Sequence, residues 1–208
     1  LTQPASAGFF LEFPMVEEWP ESLEPTEVTW GIVYNNRAFT SSLSNSQQIV
    51  AQPGSYWMCT LNFGVLYEED ERELTSLLGR LHGMFGTVKV PSITRTRTDN
   101  IGAPTVASAN AQSTFLQLQG MTASRQVFSR GDHITISGEM FEVVEHAATD
   151  AAGKAVVYVN KRVRKAIPAG TPVEYKNPYC EMRRMDDTNQ WSIQPVVSNG
   201  SFQFREAF

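Results

Sequence analysis

With 208 residues, 41% of them hydrophobic and 19% charged, the chain can build one large core or two small ones and is too apolar to be disordered. Its net charge of −5 excludes the basic footprint that nucleic-acid binding requires. The two cysteines, Cys59 and Cys180, are too few and too widely spaced for a disulfide scaffold or a zinc site, so both are expected as buried thiols.

In chain order, Pro20–Pro25 reads as a loop. Glu27–Tyr34 alternates and carries the bulky residues that suit a strand. Asn35-Asn36 signals a turn, because both tolerate positive φ. Ala38–Leu43 and Gln47–Val50 are further strand material, and Pro53-Gly54-Ser55 breaks the chain. Tyr56–Phe63 then reads as a long strand with one apolar face. A helix follows. Glu68-Glu69-Asp70-Glu71-Arg72-Glu73 loads its start with carboxylates that complement the positive end of the helix dipole. Leu74, Leu77, Leu78 and Leu81 line one face, and Gly83 and Gly86 can end it in a left-handed conformation.

Thr87–Pro91 is a short strand. Ser92–Ala111 is polar and interrupted by Gly102-Ala103-Pro104, so a long loop is expected there. Ser113–Gly120 alternates from Leu116 onward. His133–Ile136, Met140–Val144 and Ala155–Val159 follow as strands, separated by turns at Ser137-Gly138-Glu139 and Asp150–Gly153. Glu181–Met185, Trp191–Val197 and Ser201–Phe208 are the last strands. A regular, apolar final segment is expected to be tied into a sheet, and the nearest free one precedes the helix. The fold expected is mainly β with one helix: a discontinuous domain of residues 1–87 and 174–208, with a small β-barrel of residues 88–173 inserted into it.

Chemistry is sparse. His82, His133 and His146 sit in unrelated surroundings, with no HExxH and no i, i+4 pair. Gly153-Lys154-Ala155 is not a phosphate loop, Asp150–Gly153 lacks a calcium loop's repeated oxygens, and GxSxG is absent. No catalytic residue, metal ligand, cofactor or enzymatic activity is therefore expected. No apolar run reaches the ~20 residues of a membrane helix. Leu1–Ala7 lacks a signal peptide's charged head and apolar body, so neither membrane insertion nor secretory export is expected, and Asn199-Gly200-Ser201 reads as a chance glycosylation match. The basic run Lys161–Lys165 reads as a solvated strand end. Arg162 and Arg164 would share one face of it, opposite Lys161, Val163 and Lys165, and are the candidate partner-contact residues. Trp19, Trp30, Tyr34, Trp57 and Trp191 could stack on sugar rings, although aromatics in alternating strands are more often core.

The order of these pieces resembles a known family. Trp30, Arg37-Ala38-Phe39-Thr40-Ser41, Gln47-Gln48, Gly54–Trp57 and a helix closing on Gly83-Met84-Phe85-Gly86 are similar to the opening of tail proteins of long-tailed phages. Arg130–Ile136, Gly170–Val173, Met182-Arg183, Trp191 and Phe202–Phe208 fit the same pattern. The likeness, to distal tail proteins of the type found in phage T5, covers nearly all of the chain through diffuse motifs. It implies a belt-like β domain with one helix, an inserted barrel of oligonucleotide/oligosaccharide-binding type, and a ring of six copies at the virion's tail tip. That ring would join the tail tube to a baseplate hub or fibre. A reading from a different class is a carbohydrate-binding module that adheres to a host glycan through the β domain.

Overall fold

Strict alternation determines the longest element. From Tyr56 to Phe63 every second side chain, Trp57, Cys59, Leu61 and Phe63, turns into the protein while its neighbours stay half-exposed, as a pleated strand with one covered face requires. The computed structural model describes residues 16–188, 190, 192–193 and 198–208. The first half holds β1 (Val16–Glu18), β2 (Glu27–Val33), β3 (Asn36–Thr40), β4 (Gln47–Ala51), β5 (Tyr56–Leu66), helix α1 (Glu68–Leu81) and β6 (Thr87–Pro91). Next come β7 (Gly102–Ser108), β8 (Phe115–Met121), β9 (Gln126–Phe128), β10 (His133–Ile136), β11 (Glu139–Glu142), β12 (Ala147–Ala148) and β13 (Ala155–Tyr158). The chain closes with β14 (Tyr179–Arg184), β15 (Ser192–Ile193) and β16 (Ser198–Glu206). The fold is thus mainly β with one α-helix.

One sheet runs in the order β1-β6-β14-β16-β5-β2, with β15 beside β16. All its neighbours are antiparallel except β1 and β6. Strands from both halves of the chain meet in it: β16 lies between β14 and β5, with Phe202 opposite Leu61 and Phe204 opposite Cys59. Helix α1 covers this sheet. Leu74, Leu77, Leu78 and Leu81 are all buried among Leu61, Phe63, Val88, Val90, Met182, Phe202 and Phe204. Each contributes about 2 kcal/mol over remaining exposed. The helix ends at His82 rather than at a glycine: His82 takes the left-handed conformation (φ 47°), Gly83 follows at φ 69°, and the Gly86 amide closes the turn on the Leu81 carbonyl at 2.7 Å.

The segment after β6 builds a second core of Ile101, Val106, Leu116, Leu118, Phe128, Ile134, Ile136, Phe141 and Val157, among others. Two expectations are corrected here. First, Ser92–Ala111 is not a long loop. Gly102, Ala103 and Pro104 belong to β7, and the apolar residues Ile101, Val106 and Ala109 are all buried. A register shift between Gly102 and Thr105, with Gly102 at φ 104°, admits a proline into what is an edge strand of β13-β8-β7. Arg97 anchors the stretch before it, pairing with Asp99 and Asp132 and donating to the Val127 carbonyl. Second, the strands do not close into a barrel. They form a three-stranded sheet and two strand pairs around one core, joined by single bridges such as Thr135–Glu174 and Val143–Val159. Strands of two to four residues and repeated register shifts interrupt the ladder.

The β10–β11 hairpin touches both cores. Ile134, Ile136 and Phe141 face one, and Met140 the other. All four residues of β10 are therefore buried, the polar His133 and Thr135 as well as Ile134 and Ile136. Trp191 and residues 194–197 of the expected strand Trp191–Val197 lie outside the described residues.

Candidate assembly surface

Between β2 and β5 the chain leaves the sheet as an arm. β3 and β4 pair antiparallel, Asn36 opposite Ala51 to Thr40 opposite Gln47, and all ten of their residues are exposed. At the base, the Asn35 side chain donates to the Pro53 carbonyl at 2.9 Å and the Gln52 amide donates to the Asn35 carbonyl at 2.8 Å. At the tip, Ser41 Oγ accepts from the Leu43 and Ser44 amides, and Asn45 adopts φ 56°. Polar turn chemistry thus holds a ribbon whose side chains are not polar throughout. Leu43 is 98% exposed, Ile49 63% and Phe39 58%. Cross-strand register puts Phe39 and Val50 on one face and Ala38 and Ile49 on the other. Neither face belongs to a core. A lone two-stranded ribbon is marginal in water, so one that displays apolar groups on both faces is suited to a covering partner. Beside it, β2 is an edge strand with no neighbour on its outer side among the described residues.

The basic run is arranged differently from the expectation. Residues 161–165 are not a strand. Lys161 is buried and pairs with Glu206, with Glu139 Oε2 at 3.7 Å. Arg164 is half-buried. It donates to Glu206 Oε2 at 3.1 Å and to the Ser55 carbonyl at 2.9 Å, and its guanidinium lies 3.7 Å from the Phe208 ring centre. Arg162 is exposed. Arg162 and Arg164 therefore do not share a face, because Glu206 draws Arg164 inward. The Glu206 carboxylate also accepts from the Trp57 amide at 3.0 Å, so it ties β16, β5 and the 161–164 segment together. Sequence reading missed this carboxylate, since its partner Lys161 is remote in the chain. Burial pushes the Glu139 carboxyl up, opposed by the charges of Lys161 and Arg164.

The other candidates disperse. His82 caps α1, His146 is exposed beside Gln126, and His133 is buried with Nδ1 2.8 Å from Ser92 Oγ and its ring against Trp57. Burial lowers the His133 imidazole to about 4, with Arg95 adding to the shift and Asp132 opposing it. Among the described residues no three His, Cys, Asp or Glu gather as metal ligands, and no helix is long and apolar enough to cross a membrane. Of the aromatics proposed for stacking, Trp57 is buried, Trp30 packs edge-on to it, Trp19 stacks on Phe63, and Tyr34 is exposed. Cys59 and Cys180 are free and buried. No protein-family model and no curated protein matches this chain.

Proposed function

We propose that this chain is a structural subunit of a bacteriophage tail tip, assembling as a ring of copies that joins the tail tube to a baseplate or fibre, in the virion. The ring order of six comes from the resemblance to distal tail proteins. The observation that carries the reading is the β3–β4 arm: an exposed ribbon, apolar on both faces, standing next to the open edge of β2. In a ring, one head-to-tail contact is repeated until it closes, and an arm on one side of a subunit is suited to reach the next. Exposed Arg162 is a further contact candidate.

The carbohydrate-binding reading would use an aromatic-lined cleft of about 490 Å³ that includes Trp19, Tyr179, Glu18, Glu21 and Glu24. Its rings are already engaged. Trp19 stacks on Phe63 and donates its indole N–H to the Leu23 carbonyl, and Lys89 lies over Tyr179. This favours assembly over sugar stacking.

The test is the mass of the purified chain by light scattering, together with electron microscopy of virions labelled for it. Ring-sized particles, lost in the variant Leu43→Asp with Ile49→Asp, are expected. A monomer up to the solubility limit that binds a glycan array would replace this reading with the carbohydrate one.

A further inference from the structure

Arg183 on β14 and Arg205 on β16 stand directly opposite each other in the sheet. Like charges in that position repel, and neither arginine has an ion pair among the described residues. Arg205 instead lies over the rings of Tyr56 and Phe208, and Arg183 Nε is buried without a hydrogen-bond partner. The two line an open hollow of about 330 Å³ with Met84, Met185 and Phe208. Arg184 also borders it but is turned to the Thr188 carbonyl, near Asp186 and Asp187. Glu206 also lines the hollow, but Lys161 and Arg164 already match its carboxylate. In a chain of net charge −5, an apolar-rimmed arginine pair with no ion pair of its own is shaped for an acidic partner group.

The same molecule carries such a group elsewhere. The first turns of α1 hold Glu68, Glu69, Asp70, Glu71 and Glu73. Arg72 pairs with Glu68, while Glu69, Asp70 and Glu73 have no ion pair among the described residues. The acids cannot reach the arginines of their own copy. α1 has 14 residues, and Met84, just past its far end, lines the hollow, so the two patches lie ~20 Å apart along the helix. On β5 they are also at opposite ends: Arg205 is opposite Met58, whereas α1 starts just after Leu66. Two different patches that meet across copies fit the head-to-tail contact that a ring repeats.

We infer that the Arg183–Arg205 hollow of one copy receives the acidic start of α1 from a second copy. This rests on the ring reading and assigns it a charge-based contact separate from the arm. The experiment compares particle masses for wild type, for Arg183→Glu with Arg205→Glu, for Glu69→Lys with Asp70→Lys and Glu73→Lys, and for a mixture of the two variants. Circular dichroism melts check folding, and the milder pair Arg183→Gln with Arg205→Gln substitutes if the reversal unfolds. Each variant alone is expected to associate at least ~10-fold more weakly, equivalent to ~1.4 kcal/mol. The mixture, in which every contact again joins opposite charges, is expected to recover wild-type mass. A wild-type ring with either reversal assembling normally, or a mixture that stays dissociated, overturns this contact and leaves the ring reading standing. A wild-type chain that never associates overturns the ring reading, and this contact with it.

Discussion

Lys161 and Glu206 form an ion pair in which neither side chain has any exposure to solvent. The pair is set where the two cores meet, with the Trp57 amide and Arg164 completing the carboxylate's partners. Taking two charges out of water is expensive, so such a pair holds only when each member is fully matched.

Removing one member should therefore be much worse than removing both. Glu206→Ala is expected to cost about 3–5 kcal/mol, because it leaves the Lys161 ammonium in a dry site with only the longer contact to Glu139, at 3.7 Å. The double variant Glu206→Leu with Lys161→Met should recover most of that loss. Urea unfolding of the single and double variants measures the difference, and equal losses would show that the pair is not coupled.

Arg162 and Arg164 should separate in their effects. Arg164→Glu places a carboxylate against Glu206 and abandons the Ser55 carbonyl, so it should lower the denaturation midpoint clearly. Arg162→Glu should leave stability within about 0.5 kcal/mol, as exposed substitutions do. Any loss of assembly in Arg162→Glu with an unchanged midpoint would mark that arginine as a contact.

Stability should fall on acidification through His133. Its imidazole is held neutral down to about 4 in the fold, against an ordinary value of 6.5. Below pH 6.5 the unfolded chain takes up a proton that the folded chain refuses, so stability drops as pH falls from 6.5 towards 4, by about 3 kcal/mol in all. Glu139 acts with the opposite sign: its raised carboxyl favours the fold as pH falls. Comparing wild type with His133→Gln isolates the histidine, and the variant should lose most of the decline. An imidazole seen by NMR to titrate near 6.5 in the folded protein would refute this.

The thiols should be silent while the protein is folded. Burial pushes Cys59 up to about 12 and raises Cys180 as well, so little thiolate exists at neutral pH. Labelling by a thiol reagent should follow global opening and accelerate in step with unfolding in urea. Fast labelling of either cysteine in the native state would contradict the burial.

What the sequence disclosed was periodic. The leucines of α1 and the alternation of β5, β8 and the Phe202–Phe204 stretch each name a buried face, and those faces are the ones buried. Less regular features were hidden for identifiable reasons. β7 was masked by Gly102 and Pro104, which break a strand unless a register shift accommodates them. Lys161 looked solvated because nothing near it in the chain announces Glu206. The ribbon's strand content could be read, but its exposure could not: Phe39 and Ile49 have the composition of core residues, and only the absence of anything packed against them shows otherwise.

The pairing of β5 with β16 sets a timetable for biosynthesis. The partner of β5 emerges roughly 130 residues later, on the order of ten seconds of translation. Over that interval β5 has β2 on one side only, and its other backbone edge has no partner. Heterologous expression should accordingly reward slower, cooler synthesis or added chaperones with soluble yield.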